Sequence, residues 1–267
     1  MFFSIVVFML FSSVCWAGGS KDKGSQQQTK TQQETTQVTT HESLLAQKSI
    51  PSSPFFTGNG GKGISLAILV PQALGLTENQ SYLPTLVQGE FVSSFSSFSA
   101  ISVLDRKLLD DQYAELYSGY YSDDAQGIYN LGNLAPASHI LLGRITRTAR
   151  GYALQMSITK SADNMTVASY SGTFTFAELD NLVGIRRASL DLLEKIGVTP
   201  TERTQTELVG GATVNHVNAQ TALAQGITAQ KQGTIVEAMS YFYRATAFDE
   251  SLIEAANRVN EMWTLPQ

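Results

Sequence analysis

Residues 64–70 read ISLAILV. The run is apolar and lacks clean alternation. A strand with one solvated face alternates, whereas a strand covered on both faces does not. The stretch therefore predicts a central strand with helices packed on its sheet, and places the chain among α/β proteins.

Just upstream lies GNGGKG, residues 58–63. A phosphate loop follows a strand, opens a helix and closes on Gly-Lys-Ser/Thr. Here the glycines precede a strand and Lys62 is followed by Gly63, so the stretch reads as a flexible entry to the domain. Downstream, Ser81 is expected to cap a helix running through Phe98. Leu83, Leu86, Val87, Phe91, Phe95 and Phe98 recur at three and four, and Pro84 sits in the tolerated first turn. Ser93, Ser94, Ser96 and Ser97 fall on the other side, which predicts an amphipathic packing helix.

A second strand, AISVL (100–104), leads into Asp105-Arg106-Lys107 and a short helix carrying Leu108, Leu109, Tyr113 and Leu116. A third helix is expected near 123–133. Three extended segments follow, HILLGRITRT, YALQMSITKS and MTVASYSGTFTF, joined by the short turns TARG and SADN as a meander. Thr175 and Glu178 form a capping box for a long helix. Leu179, Leu182, Val183, Leu190 and Leu193 supply its apolar face and Gly197 ends it. The predicted order is βαβααβββα, a mixed sheet of about five strands with flanking helices. This domain spans 58–197, residues 198–213 read as a linker, and 214–267 as a helical tail.

The N-terminal side is of another character. FFSIVVFMLF, residues 2–11, has the length of a signal-peptide core and falls short of the roughly 20 residues that span a bilayer. Cys15 and Ala17 form a small-x-small site for cleavage after Ala17. Alternatively FSSVC (11–15) is a relaxed lipobox in which Cys15 is acylated and becomes the mature N-terminus. Residues 1–17 are thus expected to be a signal segment. Residues 18–57 are expected to be a polar, disordered tether, since Gln, Thr, Ser and Gly bury too little apolar surface to offset ordering.

Composition excludes several functions. One cysteine among 267 residues allows neither an intramolecular disulfide nor a CxxC pair. The net charge of −5 comes without a Lys/Arg cluster, so no nucleic-acid footprint is present. His41, His139 and His216 are scattered, which predicts no shared metal site. Asp110-Asp111 and Asp123-Asp124 suit helix starts. No nucleophile elbow, zinc-protease motif or Walker sequence occurs. Catalytic residues, cofactors and metals are accordingly not expected. Tyr113, Tyr117, Tyr120 and Tyr121 are the richest aromatic cluster and the candidate partner-binding patch.

Residues 64–197 resemble a bacterial envelope fold. It is shared by the curli-secretion channel protein, the outer-membrane lipoprotein activator of penicillin-binding proteins and the N-terminal domain of the Tol-system propeller protein. The resemblance rests on ISLAILV and on Ser102-Val103-Leu104-Asp105-Arg106, followed by Leu108-Leu109-Asp110 and Glu115. It continues with Leu131-Gly132-Asn133-Leu134-Ala135 leading into Ile140-Leu141-Leu142-Gly143-Arg144-Ile145. Asp105 is expected to cap the helix it opens and Arg106 to pair with a carboxylate across the sheet edge. Gly132 and Gly143 are expected to permit close helix–strand approach or a bulge. No surplus of long alternating hairpins remains for a membrane barrel, and no propeller segment is read. The accessory-lipoprotein type is therefore the nearest analogue.

The tail resembles one tetratricopeptide unit, with Gly226, Gly233, Ala238, Phe242 and Ala245 at the expected spacings. An ordinary helical hairpin remains the alternative. Both predict burial of Leu223, Ile227, Ala238, Phe242 and Ala245, and SLIEAANRVNEMW as a covering helix.

The resulting expectation is an exported, non-catalytic lipoprotein facing the periplasm or attached to the outer membrane by a lipid anchor. It binds an envelope protein partner, for which the resemblance implies a peptidoglycan synthase, and a homo-oligomer is an open option. The alternatives are a soluble periplasmic protein, a ring-forming subunit of an envelope secretion or assembly complex, and an enzyme with an unrecognised site.

Overall fold

The computed structural model describes residues 56–57, 63–106, 109 and 137–264, and these belong to one compact unit. Cys15, most of the tether, residues 58–62, the four tyrosines from Tyr113 to Tyr121, the helix near 123–133 and Gly132 lie outside the described residues.

The strands are β1 (Phe56–Thr57), β2 (Ile64–Ile68), β3 (Gln72–Leu74), β4 (Ile101–Leu104), β5 (His139–Thr148), β6 (Gly151–Lys160) and β7 (Thr166–Thr175). They form one mixed sheet in the order β1-β4-β2-β5-β6-β7, with β3 also on β5. Parallel partners β4 and β5 flank β2. Leu66, Ala67, Ile68 and Leu69 are all buried, as a strand covered on both faces requires. The sheet has two strands beyond the five expected. Phe56–Thr57, read as the end of the tether, pairs antiparallel with β4. β3 continues the path of β2 along β5, with Leu66–Ile68 opposite His139–Leu141 and Gln72–Leu74 opposite Arg144–Thr146. Pro71 lies between them, and without an N–H it cannot continue the ladder.

The meander forms as read. In β7, Ala168 and Phe174 are buried while Ser169, Ser171 and Thr173 face solvent, the alternation of a strand with one wet face. A Cβ on Gly143 would sit 2.0 Å from the Gln155 carbonyl oxygen and 2.6 Å from Met156 Sδ. The close approach is therefore to the neighbouring strand β6, whereas the sequence pointed to a helix or a bulge.

The helices are α1 (Leu83–Ser96), α2 (Phe176–Asp180), α3 (Val183–Lys195), α4 (Glu202–Val209), α5 (Val214–Lys231), α6 (Ile235–Phe248) and α7 (Ile253–Thr264). Helix α1 is capped at Tyr82 rather than Ser81, after a short 3-10 turn at Glu78–Gln80. It is not a surface helix. Every residue from Leu83 to Phe91 is buried, as is Ser94, because the sheet covers one side and α3 and α5 cover others.

The Thr175–Glu178 capping box is present, and it opens only the short α2. Leu182 adopts a left-handed conformation, φ 61°, and breaks the expected long helix into α2 and α3. A new start is made by the Val183 N–H donating to Asn181 Oδ1 at 3.1 Å. The break lets both Leu179 and Leu182 enter the core. Helix α3 ends at Gly197, φ +82°, where the Val198 N–H returns to the Leu193 carbonyl as in a Schellman turn. The stretch read as a linker contains α4, whose Leu208 joins the main core.

Helices α5, α6 and α7 pack around Ala222, Leu223, Ile227, Ala238, Phe242, Ala245, Ala255, Val259 and Met262. A Cβ on Gly226 would lie 2.5 and 2.6 Å from ring carbons of Phe242, so hydrogen at this position sets how closely α5 and α6 approach. Gly233 supplies the turn between them at φ +79°. Gly226→Ala is expected to destabilise the protein by about 1–3 kcal/mol, the usual range for overpacking. Adding Phe242→Leu should recover part of it, measured as a shift in the urea midpoint followed by circular dichroism.

Candidate functional site: the helix corner around Arg106

Strand β4 ends at Leu104, and the next two residues are Asp105 and Arg106. Arg106 is buried, 4% exposed. Its Nε donates to Glu254 Oε1 at 3.1 Å and its Nη2 to Glu254 Oε2 at 2.7 Å. The remaining Nη1 reaches the Thr85 carbonyl at 3.4 Å. The carboxylate that pairs with the motif arginine therefore comes from α7, 148 residues further along the chain, and not from the sheet edge. The Leu109 N–H bonds the Asp105 carbonyl at 3.2 Å.

Glu254 is shared. Arg258, one turn on, donates to Glu254 Oε1 from Nε at 3.0 Å and Nη2 at 2.9 Å. Its Nη1 donates to Gln230 Oε1 of α5 at 3.0 Å, and its guanidinium lies over the Phe242 ring of α6, 5.9 Å to the centroid. Burial pushes the Glu254 carboxyl upward, but the Arg106 and Arg258 guanidiniums and their hydrogen bonds outweigh it and hold the group below its ordinary value.

A second buried ion cluster lies beside the first. Glu90, in the middle of α1, is fully buried. Arg186 Nε of α3 donates to its Oε1 at 2.5 Å, and His216 Nε2 of α5 lies 2.9 Å from its Oε2. His216 Nδ1 is 4.0 Å from Asp249 Oδ2 at the end of α6. Between the clusters stands Gly89. A Cβ there would lie 2.9 Å from Arg106 Nη1 and 3.0 Å from Gln220 Oε1, so this glycine gives the arginine passage under α1. Nearby, Gln88 Nε2 donates to the Ile68 carbonyl at 2.8 Å and ties α1 to β2.

A cavity of about 540 Å³ opens at this corner, bounded by Gly89, Asp105, Arg106, His216, Glu254 and Arg258 among others. The chemistry of this corner is mechanical. Each nitrogen of the Arg106 guanidinium has a partner, Glu254 is shared between Arg106 and Arg258, and Glu90 is shared between Arg186 and His216. Among the described residues no group of three or more His, Cys, Asp and Glu side chains could hold a metal ion, and no helix is long and apolar enough to cross a membrane. His139 is elsewhere, at the start of β5, with its Nδ1 2.9 Å from Ser138 Oγ. Burial, and then Lys160, depress its basicity.

Of the residues singled out from the sequence, Arg106 enters the corner and Phe242 stacks under Arg258. Gly226, Gly233, Ala238 and Ala245 shape the helical packing behind it, and Gly143 sits in the sheet. Sequence reasoning missed Gly89 and Glu90, together with Arg186, Glu254 and Arg258. The polar triplet Gln88-Gly89-Glu90, set between the apolar Val87 and Phe91, was the available signal.

No protein-family model matches the chain, and no curated protein matches it. Solved structures similar to it include TolB from Acinetobacter baumannii, at 10% identity and a TM-score of 0.36, covering 56% of this chain and 32% of that one. The C-terminal domain of LpoB from Salmonella enterica is similar at 14% identity and a TM-score of 0.32, covering 44% and 87%. Lipoprotein GNA1162 from Neisseria meningitidis is similar at 13% identity and a TM-score of 0.34, covering 52% and 99%. The chain spans 32% of the length of TolB. These likenesses concern the fold.

Glu90→Ala leaves the half-buried Arg186 without its counter-charge and is expected to cost about 3 kcal/mol, the lower end for a broken buried pair, read by chemical denaturation. For Glu254, a lowered folded value means its contribution is complete above the ordinary carboxylate range and is withdrawn as pH falls through the folded value. Acid should therefore loosen α7, seen as a change in Trp263 fluorescence, and Glu254→Gln should weaken the protein at neutral pH while flattening that acid transition.

Proposed function

We propose that this protein is a non-catalytic, tethered component of the bacterial cell envelope that works by binding another protein, a peptidoglycan synthase being the partner class implied by the sequence resemblance. The observation that carries the reading is the use made of Arg106. In the motif that the chain has in common with envelope binding modules, the arginine is engaged in holding β4, α1 and α7 together, a structural task. The apolar run at 2–11, Cys15 and the polar segment after it support export and lipid attachment, with the domain held off the membrane by the tether. The four tyrosines Tyr113, Tyr117, Tyr120 and Tyr121 remain the candidate partner surface.

The test has two arms. Mass spectrometry of the mature N-terminus should find an acylated Cys15, whereas an N-terminus at Gly18 favours a soluble periplasmic form. Added to purified peptidoglycan synthases, the protein should bind one of them and raise its glycan polymerisation rate, and replacing the four tyrosines by serine should abolish the gain. No binding, together with ring-shaped particles of the protein itself, would favour a subunit of an envelope assembly. Turnover of a cell-wall substrate by the protein alone would replace the reading with an enzyme.

A further inference from the structure

Helix α6 buries Ala238, Phe242 and Ala245 against α5 and α7. Its opposite side is not conventionally polar. Among the described residues nine large hydrophobic side chains are exposed, and five of them, Ile235, Val236, Tyr243, Ile253 and Trp263, belong to α6 and α7. Val236 is 85% exposed and Trp263 64%, a concentration that marks an interaction surface rather than scattered surface apolarity. The Trp263 Nε1–H donates to Tyr243 Oη at 2.8 Å. The hydrogen bond holds both rings in place, which lowers the entropy lost on docking.

The order of residues on this side says what covers it. At about 100° per residue, Val236 and Tyr243 fall on one flank of the outer face, seven residues apart. Glu237 and Arg244, also seven apart, fall on the other flank, and Ser240 lies between. Glu237 and Arg244 are both exposed. Among the described residues neither enters an ion pair, and the Arg244 guanidinium lies over the Tyr241 ring, 5.6 Å to the centroid. Each flank thus carries two different residues at the same spacing, and the midpoints of the two pairs fall on either side of Ser240.

A two-fold axis perpendicular to two antiparallel helices brings like flank against like flank, with residues paired about one midpoint. We propose that a second copy of this chain covers the face: two α6 helices pack antiparallel about an axis at Ser240. Val236 then meets Tyr243 of the partner subunit, and Glu237 meets Arg244 of the partner subunit. Ser240 is small enough for close approach at the axis. Trp263 extends the apolar flank, and the opposed helix dipoles add a favourable term. The charge pair specifies antiparallel pairing, since parallel packing about a two-fold brings unlike flanks together and would set Glu237 and Arg244 against the apolar flank of the other copy.

The test uses the purified full chain in mild detergent, with Cys15→Ser throughout. Sedimentation equilibrium from low to high micromolar concentration should find a reversible dimer. Glu237→Arg and Arg244→Glu should each weaken it tenfold or more. The double variant, which exchanges the charges, should return to within a few fold of the parent, and this recovery excludes misfolding as the cause of the single losses. Ser240→Cys should form a disulfide-linked dimer on mild oxidation, and Arg203→Cys on α4 should not. A monomer at every concentration overturns the proposal. So does a dimer indifferent to the single charge reversals, a double variant no better than the singles, or cross-linking no faster at residue 240 than at residue 203.

Discussion

A carboxylate sits in the middle of this protein, and its position constrains most of what surrounds it. Glu90 is enclosed on α1, where an isolated charge would be strongly unfavourable. It is tolerable only because Arg186 arrives from α3 and His216 from α5. Leu86, Val87 and Phe91 of the same helix join the main core by apolar contact, which has no direction of its own. The buried charge admits only settings that bring these two partners to it. Ion pairs of this kind contribute modest net stability, yet removing one partner is strongly destabilising.

The Arg106–Glu254–Arg258 cluster does the same work further out. It joins the end of a central strand to the last helix and, through Gln230 and Phe242, to α5 and α6. Because α1 passes directly over the arginine, a side chain at 89 would press on the end of its guanidinium and on the Gln220 amide. The glycine weakens an isolated helix, and the clearance it leaves for the guanidinium explains its place. Charge and packing thus meet here: the ion cluster sits where the helix lacks a side chain.

Much of the fold was legible beforehand. The apolar run at 64–70, the meander joined by short turns, the capping box at Thr175 and the spacing of Gly226, Ala238 and Phe242 are local patterns, and each formed. What escaped was relational. The long helix after Thr175 is broken because two leucines must enter one core from a turn. The linker at 198–213 contains a helix because Leu208 has a core to reach. The serines of α1 predicted a wet face, yet α3 and α5 cover much of that helix, and it is Gln88 and Glu90 that became internal ties.

Order along the chain was enough to dictate most of the strands and helices, the mixed character of the sheet, and the glycines and caps at their ends. These depend on interactions between residues a few positions apart. Packing in three dimensions was needed to bring Arg106 to Glu254, to share Glu90 between Arg186 and His216, and to enclose α1. Those pairs are separated by some 96 to 148 residues, and no local period records which distant charge will be brought to a buried one. The partner is chosen by how the helices pack, and the packing in turn is accepted only where the charges match.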